Sequence, residues 1–219
     1  MFKPRLLANS ASDKPIELYT LGDSRLPKLV LIGGIHGDEP EGSRVVFDFI
    51  EAAEEQAPKF KACVLAIPAY NPDGLEKNER TNGHGVDLNR NFPAKDWNQE
   101  HRAPRYFPGP HAASEGETQG LVKLLTEAKP FLVVHCHTYI PQVNYTGEAS
   151  RKWALWIAKN FGHPVTEDIG YPTPGSLGQY CLHDLKTPCV CVELPERVAA
   201  PVAWKMLVPA LLEIALHGP

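Results

Sequence analysis

The sequence predicts an α/β fold built on a mixed, largely parallel, twisted sheet with helices on both faces. Short apolar runs rich in Val, Ile and Leu recur along the chain without strict polar–apolar alternation, as expected of strands covered on both sides. Segments with helical spacing separate these runs, and strands alternating with helices imply parallel crossovers. No internal repeat, linker or low-complexity tract interrupts the pattern, so residues 1–219 are expected to form one domain.

Strands are expected at 28–35, 62–69, 131–135 and 188–194. A first helix over 40–56 sets Val45, Val46, Phe49 and Ile50 on one side. A second, over 114–129, opens on Ser114 and Glu117 in a capping-box arrangement, ahead of Leu121, Leu124 and Leu125. A third covers 151–162. The last covers 198–217 and holds Pro201 and Pro209, which predict a late start or a kink. Residues 71–113 are rich in Gly, Pro, Asn and Arg and show little periodicity, which points to a functional loop or a misread element. In open α/β sheets ligands bind beyond the carboxyl ends of the strands, and this segment follows one such end.

With 43% hydrophobic residues, a chain of 219 can bury a core without staples. A net charge of −4 and a pI of about 6.1 argue against nucleic acid or an anionic membrane as the main partner. No apolar run approaches the ~20 residues that span a bilayer. The opening "MFKPRLLANSASDKP" is too polar after Leu7 for the apolar stretch of a signal peptide, so a soluble, cytoplasmic protein is expected. Five cysteines, an odd number, with Cys63, Cys189 and Cys191 in or beside apolar runs, are expected to be small buried side chains without chemistry.

The chemistry begins at "LIGGIHGDEPEG" (31–42), where His36 and Glu39 follow an expected strand. Imidazole plus carboxylate suits Zn²⁺, whose catalytic sites commonly use two histidines and one glutamate. Alone, the motif reads more readily as a loop whose acids favour a helix start. "FLVVHCHTY" supplies His135 and His137 from another strand end, and their spacing leaves either as the third ligand. In "NPDGLEKNERTNGHGVDLNRNFP" (71–93), Arg80 and Arg90 can grip a carboxylate or polarise a carbonyl, with Asn82, Asn89 and Asn91 as neutral donors. "PCVCVELPE" (188–196) places Glu193 near a strand end, where a carboxylate close to a metal makes a natural general base.

In this order the pieces resemble the zinc metallocarboxypeptidases, or funnelins, over roughly residues 28–215. The resemblance rests on H-x-x-E at 36–39, "NPDG" at 71–74, Arg80, "GVDLNRNFP" at 85–93, the histidine at 135 and "ELP" at 193–195. "GYPTPGSLG" (170–178) and the small size look most like the bacterial murein peptide amidase branch, whose members cut the γ-D-glutamyl–meso-diaminopimelate bond of cell-wall peptides. The resemblance implies a zinc carboxypeptidase-like fold holding one Zn²⁺ on His36, Glu39 and His135. His135 is preferred to His137 because the family histidine directly follows the apolar run. It also implies that Asp87 orients the first metal histidine and that Arg80 polarises the scissile carbonyl. Asn89 and Arg90 would hold the substrate's terminal carboxylate, and Glu193 would be the general base. Tyr171 lies one residue from the place of the family's mobile tyrosine. Leu177 falls at the residue that sets pocket charge in digestive relatives.

The implied activity is zinc-dependent hydrolysis of the C-terminal amide bond of a small free-carboxylate peptide, a murein fragment, as in peptidoglycan recycling. The alternative is an N-acyl amino acid deacylase of the succinylglutamate desuccinylase or aspartoacylase type. Those proteins share the H-x-x-E start and the NR pair, but usually lack "NPDG" and carry an extra C-terminal domain. A non-catalytic binding protein would not require Glu193.

Overall fold

Buried parallel strands account for the centre of the molecule. The computed structural model describes residues 2–167 and 169–219. It places β1 (Arg5–Asn9), β2 (Pro15–Leu21), β3 (Lys28–Ile32), β4 (Cys63–Ile67), β5 (Leu132–Tyr139), β6 (Gln142–Thr146), β7 (Val165–Thr166) and β8 (Cys189–Pro195) in one sheet. Their order is β1-β2-β4-β3-β5-β8-β6-β7. The four expected strands are the parallel centre, β4-β3-β5-β8. β2 and β6 pair antiparallel with its two edges.

The helices are α1 (Pro40–Ala53), α2 (Pro72–Lys77), α3 (Gly116–Ala128), α4 (Glu148–Ala158), α5 (Leu177–Tyr180) and α6 (Ala200–His217). On one face Val134, Val190 and Val192 pack with Phe49 of α1, Trp153 of α4 and Leu207 of α6. On the other, Val30, Val133 and Cys189 pack with Leu121 and Leu125 of α3 and Tyr180 of α5. Strand alternation divides the two cores, so Cys189, Cys191 and Glu193 share the second face with His135 and His137. α6 is long and apolar enough to cross a membrane, but Leu207, Leu211 and Ile214 spend that apolarity in the first core. It begins with Pro201 in its first turn and carries Pro209 within.

The expected capping box does not form. α3 starts after Glu115 with no side-chain cap. Ser114 Oγ instead donates to Glu115 Oε1 at 2.6 Å, and buried Glu117 accepts from the Ala11 amide and from Asn82. α4 also starts earlier than expected, at Glu148.

From β3 the chain crosses to β4 on one side, then to β5 on the other. That reversal opens a crevice at the carboxyl ends of β3 and β5, where ligands bind in open α/β sheets. Two glycines shape its floor. Gly34 has φ +65° and turns the chain off β3. A Cβ on Gly37 would lie 1.8 Å from the Gly74 carbonyl carbon, so the loop after β3 and the start of α2 touch backbone to backbone. Gly37→Ala is therefore expected to cost about 3 kcal/mol or more, because neither partner is a side chain that can swing away. Thermal unfolding of the variant checks this, and an unchanged Tm would refute the contact.

Candidate active site at the sheet's carboxyl edge

The segments around "NPDG" are mainly scaffolding. Asn71 Oδ1 accepts from the Gly74 amide at 2.9 Å and caps α2. Its Nδ2 donates to the carbonyls of Ile35 and Arg80, each at 3.3 Å. One side chain thus ties down the residues leading to His36 and to Arg80. Asp87 caps the 3₁₀ turn Leu88–Arg90 through the Asn89 amide at 3.0 Å, setting Asn89 and Arg90 on the cavity wall. Asn82 and Asn91, expected as free donors, are used up inside this loop. The Asn82 amide joins Glu115 and Glu117, and that of Asn91 joins Pro108, His111 and Ser114.

His36, Glu39 and His137 converge. Nδ1 of His36 lies 2.9 Å from Glu39 Oε1 and 3.0 Å from His137 Nδ1, and His137 Nδ1 lies 2.7 Å from Glu39 Oε2. Donor atoms of these three residues all fall within 4.8 Å of one another.

The expectation of His135 in this triad is corrected. His135 pairs in register with Ile32, the last residue of β3, whereas His36 lies four residues beyond that strand end. His137, two positions further along β5 on the same face, is the residue that reaches His36 and Glu39, at 3.0 and 2.7 Å. His135 sits behind His137, its Nδ1 2.9 Å from His137 Nε2.

Asp87 does orient the first histidine. Its Oδ1 is 3.2 Å from His36 Nε2, and its Oδ2 accepts from Arg80 Nε at 2.9 Å. Burial opposes charge on Asp87, yet Arg80 and His36 hold its carboxyl well below the ordinary range. Burial likewise opposes charge on Glu39, and His36 and His137 outweigh it. Arg80 reaches onward from Asp87, with Nη1 3.1 Å from His36 Nδ1 and 3.4 Å from Glu39 Oε1.

Glu193 pairs in register with His137 across β5 and β8 and is buried. Its Oε1 accepts from Cys191 Sγ at 3.4 Å, while its Oε2 has no partner among the described residues. Burial, then the neighbouring Glu39 carboxylate, push its carboxyl up to about 7. These groups line a cavity of about 900 Å³, and Asn89, Arg90 and Tyr171 line it too. Leu177, expected at the place of the residue that sets pocket charge in digestive relatives, is buried in the second core, its amide donating to Asn89 Oδ1. The cavity wall is formed by its neighbours Ser176, Gly178 and Gln179.

A zinc ion fits the donors present. Two imidazole nitrogens and one carboxylate converge, Asp87 fixes His36 so that Nδ1 is bare, and the open side of the triad faces the cavity. The donor set also explains the close approach of two imidazole Nδ1 atoms, which a shared cation relieves.

Residues 4–176 match the family model described as zinc carboxypeptidase, Peptidase_M14. The chain belongs to the zinc carboxypeptidase family. It is 32% identical over 182 residues to murein peptide amidase A of Escherichia coli (strain K12), covering 76% of this chain and 70% of that one. Murein peptide amidase A of Vibrio campbellii is 28% identical over 201 residues, covering 87% of this chain and 78% of its own length. The solved structure of murein-tripeptide amidase MpaA from Escherichia coli O157 superposes with a TM-score of 0.83 at 27% identity, covering all of this chain and 94% of that one. Thrombin-activatable fibrinolysis inhibitor, at 17% identity, shares the fold with a TM-score of 0.82 over 99% of this chain and 71% of its own.

As a peptide hydrolase of this family, the chain carries features that motif reading passed over. The Thr138 amide donates to Glu39 Oε2 at 3.3 Å and helps aim that carboxylate. At the rim, Arg102 stacks over Tyr106 and Tyr171, 4.5 and 5.4 Å from their centroids, with no carboxylate partner among the described residues. Neither was flagged by residue type. The choice of His137 over His135 rests on the pairing register of β5 with β3 and β8, which residue spacing alone does not give.

Proposed function

We propose that this chain is a zinc-dependent carboxypeptidase-type amidase that removes the C-terminal residue of a small murein peptide at the γ-D-glutamyl–meso-diaminopimelate bond. The observation that carries the chemistry is the convergence of His36, Glu39 and His137 beside the buried Glu193, whose Oε2 has no partner among the described residues. The names of the similar proteins, murein peptide amidase and murein-tripeptide amidase, support the substrate class.

His36, Glu39 and His137 would hold the ion. Bound there, zinc would supply Lewis acidity, polarising the scissile carbonyl and making water a nucleophile near neutral pH. Glu193 takes the proton of the attacking water at Oε2 and gives it to the leaving amine. Arg80, braced by Asp87, donates to the carbonyl oxygen as negative charge develops there. Arg90 and Asn89 hold the terminal carboxylate, which fixes the bond to be cut. Tyr171 borders the same cavity, and Arg102 at the rim is available to a second carboxylate, such as the α-carboxylate of a γ-linked glutamate.

The test is to incubate the zinc-loaded protein with L-Ala-γ-D-Glu-meso-diaminopimelate and measure free diaminopimelate. Release is expected, falling about 10²-fold or more when the terminal carboxylate is converted to an amide. No release alongside cleavage of an N-acyl amino acid would overturn the substrate assignment, and equal cleavage of the amidated peptide would overturn the role of Arg90 and Asn89.

A further inference from the structure

His135 occupies a buried position directly behind His137 that the proposed mechanism does not use. We propose that His135 is a positioning residue, whose Nδ1 accepts a hydrogen bond from Nε2–H of His137 and so keeps Nδ1 of His137 turned toward the metal donors. This rests on the metal reading of His36, Glu39 and His137.

The protonation pattern follows from the geometry. To offer a lone pair beside His36 Nδ1 and Glu39, His137 must be bare at Nδ1 and protonated at Nε2. A buried N–H requires an acceptor, and the partner of His137 Nε2 is His135 Nδ1, at 2.9 Å. A neutral His135 with its proton on Nε2 offers that acceptor at Nδ1. A side-chain hydrogen bond links His135 to buried Cys189, and another links Cys189 to Cys181, both free thiols. The cysteines expected to be inert filler therefore include the far end of a hydrogen-bonded line that stops at the metal donors.

The two histidines are held by different means. His36 leans on an anionic acceptor, Asp87, and His137 on a neutral one. Glu39, Asp87 and Glu193 already place three carboxylates around this site. A neutral acceptor fixes the second ring without adding a fourth negative charge, which would push Glu193 further toward its protonated form.

The experiment is chelator competition for zinc at neutral pH, with the metal-free Tm of each variant measured in parallel. His135→Phe keeps a ring and removes the acceptor, and is expected to weaken zinc binding about 10–100-fold. His135→Asn places an amide oxygen near Nδ1 and is expected to recover most of the loss, which a purely packing role would not predict. Unaltered affinity in His135→Phe overturns the inference, and so does His135→Asn binding as weakly as His135→Phe. Proton–nitrogen NMR of the imidazoles in the zinc-loaded wild type adds a readout free of substitutions. His137 protonated at Nε2 with His135 bare at Nδ1 supports the inference, and His135 protonated at Nδ1 or bound to zinc overturns it. A wild type that takes up no zinc overturns the metal reading and this inference together, whereas tight zinc binding with His135→Phe unaltered overturns this inference alone.

Discussion

Glu193→Gln is expected to lower kcat about 10²–10⁴-fold while leaving zinc affinity near that of the wild type. Glu193 is not among the converging metal donors, and its Oε2 has no partner among the described residues, so the amide fits the space without disturbing His36, Glu39 or His137. The amide cannot take a proton from water, which removes both the base step and the later delivery to the leaving amine. Retained turnover at full zinc loading would sink the assignment.

The same substitution has a stability signature with a definite sign. Burial and Glu39 push the Glu193 carboxyl up to about 7, so between ordinary carboxylate pH and about 7 the folded, metal-free protein holds a proton that the unfolded chain has released. Stability therefore falls as pH rises through that window, by up to about 3 kcal/mol. Glu193→Gln removes this penalty, so its metal-free form is expected to melt above wild type at pH ~8 and equal to it near pH ~4. A wild-type Tm that rises steadily across that window relative to the variant would contradict the buried, charge-crowded position of Glu193. In the loaded enzyme a nearby dication favours the carboxylate, so the acid limb of kcat/KM should lie below 7.

The centre of the fold was legible because parallel strands buried on both faces leave near-continuous apolar runs, and β3, β4, β5 and β8 do so. The edges were not. β1 is half exposed, with Leu6 open to solvent, and β7 has two residues, so neither leaves a pattern above background. In the site, carboxylates and imidazoles beside apolar runs are costly unless paired, which singled out His36, Glu39 and Glu193, whereas Asp87 was legible only through the family resemblance. The error arose at β5. "HCHTY" reads as the end of a strand because polar residues usually leave a buried sheet, yet β5 continues to Tyr139. Its polar side chains stay buried because the site and its rim satisfy them, through Glu39 for His137, Glu41 for the Thr138 hydroxyl and His137 for His135.

That extension makes His137→Ala the decisive substitution. Removing it takes away one of two nitrogen donors and leaves His36 and Glu39 as a two-point site, which holds zinc far more weakly than three converging donors. Zinc is expected to be lost at micromolar concentrations, and kcat/KM to fall about 10³-fold or more, since the Lewis-acid contribution is worth several kcal/mol. His135→Phe, two residues away on the same face, is expected to lose only the 10–100-fold that an orienting partner contributes. The order of the two effects separates the competing assignments. If His135 were the ligand, His135→Phe would empty the site while His137→Ala left it able to bind zinc stoichiometrically. Metal content of the two variants after identical loading decides this without reference to any substrate. Geometry predicts the outcome: in β5 it is His137, paired across from Glu193, whose Nδ1 meets His36 and Glu39.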